Sequence, residues 1–171
     1  GYRGPIFTTH ATQDLCRVML ADSAHIQEKD AEFLAKRQRS HQDPLYDAAD
    51  VERTVRAMRG IPYATPTMIV PGLEVELLEA GHILGSASVV LSWMDGATRR
   101  RVAFSGDIGR SGLAIIRDPV PPKDVDGLIM ESTYGDRDHT SVDGARQRLA
   151  EVVEETAARG GKILIPAFAV G

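Results

Sequence analysis

Apolar and polar positions alternate most clearly over residues 73–105. Leu73, Val75 and Leu77 alternate with Glu74 and Glu76, which predicts a strand over Leu73–Leu78 with one buried and one wet face. Two further runs, Ser88–Met94 and Arg99–Ser105, flank Asp95-Gly96. Asp-Gly between such runs is a strong hairpin signal, because both central residues of a type I′ turn need positive φ. Folding the runs together sets Met94 against Ala97. His82 and Asp107 then fall just beyond the strand ends, at the same end of the ribbon. Spacing alone leaves two readings open. An imidazole and a carboxylate, each beside a glycine that admits close backbone approach, make half of a metal site. Equally, they make a satisfied histidine and an aspartate turn.

Around this ribbon the pattern predicts alternating elements. Pro5–Thr9 reads as a short strand, followed by a helix capped near Thr9 or Thr12 with Leu15, Val18 and Met19 on its apolar face. His10 at that junction suits capping or packing. A second, mostly solvated helix is expected over 27–39, anchored by Phe33 and Leu34. Its basic end (Lys36, Arg37, Arg39) fits the helix dipole better than an RNA-facing patch. A third helix runs from Ala48 to Arg59, with Val51, Val55 and Met58 as its stripe and Gly60 and Pro62 as its stop. Thr67–Val70 is a strand and Pro71-Gly72 a turn. His25 and His41 have no partner at ligand spacing. The Gly-rich loop Ile108–Gly112 is a weak candidate for cradling phosphate, since no helix signature follows it. Asp126–Glu131 is a short strand that delivers Glu131 to its C-terminal end. Arg137 and His139 follow in a polar loop. A helix over Ser141–Arg159 and an apolar run over Lys162–Pro166 complete a strand–helix–strand unit, which implies a parallel pair.

Composition narrows the class. The chain has 171 residues, 43% of them hydrophobic and 26% charged, as expected of a soluble globular domain with a real core. A net charge of −4 supplies no bulk basic field for nucleic acid, which counts less against a nuclease whose metal ions carry local positive charge. Cys16 is the only cysteine, so no internal disulfide is possible, and a reducing, cytoplasmic setting is expected. No membrane span or signal peptide is visible. The chain begins at Gly1 rather than Met and stops after an apolar run, so a piece of a longer protein is expected.

Three motifs, A-G-H-I-L-G-S at 80–86, S-G-D-I-G-R at 105–110 and E-S-T-Y-G at 131–135, occur in this order and spacing in one family. The chain resembles the β-CASP branch of the metallo-β-lactamase superfamily along essentially its whole length, from G-Y-R-G-P-I-F-T-T-H-A-T to G-G-K-I-L-I-P-A-F-A-V-G. The resemblance implies an α/β fold, a partial layered αββα arrangement with a mixed sheet containing hairpin 88–105. It implies that residues 1–139 are the C-terminal part of a metallo-β-lactamase domain, and that 140–171 begin an inserted β-CASP domain. It further implies two Zn2+ ions per site, with His82 binding one and Asp107 bridging both. Such a pair holds a hydroxide for in-line attack at phosphorus. Glu131 would be the acidic residue that orients a catalytic histidine from further along the chain. Glu followed by Ser132-Thr133-Tyr134-Gly135 is similar to the RNA-processing members rather than the DNA-repair ones.

The family's H-x-H-x-D-H motif is absent and would lie upstream of Gly1; its later histidine motifs would lie beyond Gly171. The isolated 171 residues are therefore expected neither to hold a normal dinuclear site nor to cleave RNA. The leading expectation for the parent is a zinc-dependent endo- or exoribonuclease with RNA as partner, and a homodimer stays open. A thioester or lactone hydrolase of the same fold and a catalytically silent RNA-processing subunit are the alternatives.

Overall fold

A computed structural model describes residues 2–37, 43–138, 140–168 and 170. The readings made for Arg39, His41 and His139 lie outside the described residues. The chain divides into two compact units, Gly1–Glu131 and Ser132–Gly171.

The first unit opens with strand β1 (Ile6–Thr9) and helix α1 (His10–Lys36). The Thr9 side chain caps α1 by accepting from the Thr12 amide. One helix of 27 residues replaces the two expected over this region. No Gly or Pro interrupts residues 10–36, so nothing in the backbone ends the first helix before the second begins. At its C-terminal end Arg37 lies 4.3 Å from the Phe33 ring centroid, so this guanidinium already has a partner.

Helix α2 (Ala48–Ala57) starts at a capping box formed by Asp47 and Asp50. It stops earlier than the apolar stripe implied. Met58 leaves the helix at φ −69°, ψ 140° and opens strand β2 (Met58–Ile61), which pairs in parallel with β1 from Ile6↔Met58 to Thr9↔Ile61. The ladder offered by β1 outweighs the local helical period. Helix α1 packs on α2 and β2.

Strands β3 (Thr67–Val70), β4 (Leu73–Glu79), β5 (Ala87–Asp95), β6 (Thr98–Phe104) and β7 (Gly127–Ile129) form one sheet in that spatial order. All neighbours are antiparallel except β6 and β7, which run parallel, so the sheet is mixed as expected. The hairpin is present with a shifted register: Asp95 pairs with Thr98, and Met94 with Arg99 rather than Ala97. Its two-residue turn is Gly96-Ala97. Only Gly96 has positive φ (61°), so glycine sits at the first central position, as in a type II′ turn, instead of the second position of a type I′ turn.

Both faces of the sheet carry core. On one, Val75 and Leu77 pack with Ile61 of β2, joined by Phe7, Tyr63, Val89 and Leu91. On the other, Leu78, Val90 and Ala103 pack with Val125. Glu74 and Glu76, expected on a wet face, are half-buried on this second side and meet Arg99 at 2.7 Å and Arg101 at 3.3 Å. No helix among the described residues is long and apolar enough to cross a membrane.

In the second unit, helix α3 (Val142–Ala158) is capped by Ser141 and followed by Gly160 at φ 66°. The strand expected at Lys162–Pro166 does not form, and Leu164 is 90% exposed. A strand needs a neighbour to satisfy its amides and carbonyls, and among its described residues this unit contains no other strand. The expected strand–helix–strand unit is thus not closed by these residues.

Candidate active site

The site end of the sheet is set by where strands stop. The connection from β4 to β5 carries His82, the long connection from β6 to β7 carries Asp107, and Glu131 follows β7. Because β5 runs antiparallel to both β4 and β6, the end of β4, the start of β5 and the end of β6 coincide; parallel pairing adds the end of β7.

Backbone contacts join the three segments. The Gly109 amide donates to the Ala80 carbonyl at 2.9 Å. A Cβ on Gly109 would stand 1.6 Å from the Gly81 oxygen and 2.6 Å from the His82 nitrogen, so only a residue without a side chain permits this crossing. Glu131 is tied to the Asp107 segment by its own side chain: Oε1 accepts from the Ile108 amide at 2.5 Å. Ser105 stands between them, its Oγ accepting from the Glu131 amide at 3.1 Å, while its own amide donates to Ile129 at 2.9 Å. Ser88 Oγ donates to the Ser105 carbonyl at 2.8 Å from across the hairpin. His82 and Asp107 are exposed and Glu131 is half-buried.

The His82 loop has its own brace. Ser86 Oγ accepts from the amides of His82 at 3.1 Å and Ile83 at 3.2 Å. The hydroxyls of Thr9 and Thr12 both reach the Gly85 carbonyl, at 2.9 and 2.8 Å, and that of Tyr63 donates to the Ser86 carbonyl at 2.9 Å. Burial, and after it the charge of Glu79, push the Tyr63 phenol above its ordinary value. The sequence points to Thr9 or Thr12 only as a helix cap, within the T-H-A-T string, and gives Tyr63 no role. His10, in the same string, lies against Gly60 and borders a cleft of about 310 Å³ with Tyr63, Glu79 and Arg117.

The donor set suits zinc in kind, since neutral imidazole and carboxylate are both ordinary ligands for that ion. It falls short in number. Among the described residues, no group of three or more His, Cys, Asp or Glu side chains stands close enough to hold a metal ion. The Gly-rich loop does not offer a free anion cradle either: the Gly109 amide is spent on Ala80 and the Gly112 amide on Asp118 at 2.8 Å.

No family model matches the chain. Curated proteins do. The chain is 32% identical over 170 residues to ribonuclease TTHA0252 of Thermus thermophilus, which covers 99% of this chain and 35% of the relative. It is 35% identical over 174 residues to transcription termination factor FttA of Pyrococcus abyssi, covering 99% of this chain and 25% of that protein. Endoribonuclease YSH1 of Yarrowia lipolytica is 33% identical over 172 residues, covering 99% and 19%. These relatives are RNA-processing nucleases of the β-CASP metallo-β-lactamase type, and the chain is similar to them along essentially its whole length. The mixed α/β content and mixed sheet are those of a partial metallo-β-lactamase fold. Measured against these superfamily relatives, the chain spans about a third or less of their length.

Proposed function

We propose that the whole protein hydrolyses RNA phosphodiester bonds and depends on zinc to do so, with His82 and Asp107 as two of its metal ligands. The observation that carries this reading is the crossing of the His82 and Asp107 segments at Gly81 and Gly109, with Glu131 tied to the same segment through Ile108. Similarity over 99% of the chain to a protein named a ribonuclease supports the choice of RNA. In this reading the remaining ligands come from other parts of the whole protein. Zinc supplies Lewis acidity for attack at phosphorus. Asp107 contributes a carboxylate beside His82, and its charge offsets that of the cation. Glu131 acts at the rim, its carboxylate held in place by the Ile108 amide, where it orients a proton-transferring group.

The test uses the whole protein on 5′-labelled single-stranded RNA, wild type against Asp107→Ala. Cleavage is expected to fall by at least about 100-fold, the scale on which removing a group that stabilises transition-state charge acts. Equal cleavage by the two proteins overturns the assignment.

A further inference from the structure

We infer that Thr9, Thr12 and Tyr63 are positioning residues that fix the His82 loop from outside the site. This inference rests on the reading of His82 as a metal ligand. Three side-chain hydroxyls, from the end of β1, the first turn of α1 and the segment after β2, converge on two successive carbonyls, those of Gly85 and Ser86. Thr9 and Thr12 stand 2.9 Å apart and share the Gly85 oxygen. Each hydroxyl has one proton: Thr12 gives its own to the Gly85 oxygen, and Thr9 has both that oxygen and Thr12 Oγ1 within reach, so the carbonyl is held whichever of the two Thr9 serves. Thr9 is 3% exposed, which keeps water from competing for that carbonyl.

The hold passes to His82 in one step. Ser86 presents its carbonyl to Tyr63 and its Oγ to the His82 and Ile83 amides. Fixing Ser86 therefore fixes the backbone on which the imidazole sits. Helix capping alone does not explain this arrangement. Capping α1 asks Thr9 only for an accepting oxygen, and asks nothing of the Thr12 hydroxyl or of Tyr63. The donated protons serve the loop. A metal ligand whose backbone is held in advance binds without first ordering its loop, which is how outer groups raise metal affinity.

The experiment uses the whole protein and the double variant Thr12→Val/Tyr63→Phe, which leaves the Thr9 cap in place. The controls are Thr12→Ser, which restores the hydroxyl, and His82→Ala. Amide exchange of the 80–88 segment is expected to quicken by about tenfold in the double variant, with β5 beyond Val90 unchanged, because the two hydrogen bonds donated to Gly85 and Ser86 are lost and each has a modest net worth. Zinc dissociation, read by chelator competition, is expected to quicken by about tenfold as well, and Thr12→Ser alone stays near wild type. Unchanged exchange at 80–88 overturns the clamp. Faster exchange with unchanged zinc binding overturns its positioning role, provided that His82→Ala does weaken zinc. If His82→Ala binds zinc as wild type does, the ligand reading of His82 fails and the positioning inference goes with it, whereas quickened exchange alone upholds the brace as backbone support.

Discussion

The two ends of the β5–β6 ribbon use glycine for opposite reasons. At the turn end Gly96 has φ 61°, and a Cβ there would meet nothing within 4 Å. Its requirement is conformational. At the site end Gly109 has no unusual φ, yet an added Cβ would meet the Gly81 oxygen at 1.6 Å. Its requirement is room. Side chains at the turn end reinforce the difference: Arg99 and Arg100 make solvent-screened pairs with Glu74, Asp95 and Asp126, each worth little. At the site end serine and glycine backbone groups interlock. One end of a ribbon can thus be replaceable while the other is specified atom by atom, and the candidate chemistry sits at the specified end.

Substituting each glycine in turn separates these demands. Gly109→Ala is expected to have the largest effect, lowering stability by about 3 kcal/mol in equilibrium urea unfolding, because backbone rather than a flexible side-chain tip blocks the new methyl. Gly96→Ala should cost about 1 kcal/mol, the strain of an L-residue at positive φ with no clash added. If the two variants lose equal stability, the contrast between the ends is wrong. The smallest effect concerns Tyr63, beside the His82 loop. Its folded-state value is raised, so its contribution to stability is intact below the unfolded value of about 10 and is lost as pH rises through the higher folded value. Ultraviolet titration should find a phenol ionising above the ordinary range, and Tyr63→Phe should remove it. Titration of every tyrosine at the ordinary value would show that the hydroxyl is not sequestered.

Much of this architecture was legible in the sequence because strand alternation is a strong signal. The Asp-Gly signal sets Met94 against Ala97, whereas the ladder pairs Met94 with Arg99, an offset of two residues. Since side chains repeat every two residues, that offset preserves the face of every residue and leaves His82 and Asp107 at the same end. Local period failed where a distant partner decided. Met58 fits the helical stripe of α2, yet pairs with Ile6, and Lys162–Pro166 has strand composition without a strand beside it in its unit. The brace on the His82 loop was hidden for the same reason: Thr9 and Gly85 are 76 residues apart, and no local pattern relates a threonine at a helix start to a carbonyl three strands later.

The parallel pairing of β6 and β7 has a consequence for how such a rim can be remodelled. Asp107 and Glu131 leave neighbouring strands that point the same way, so their juxtaposition follows from the strand exits and from the Ile108 amide's bond to Glu131, and not from residues 113–117 of the connection. Insertions or exchanges at 113–117, inside the turn that the Gly112 amide closes on Asp118, would redraw the border of the cleft while leaving the Ile108 hold on Glu131 in place. New preferences can be tried there without disturbing the acids.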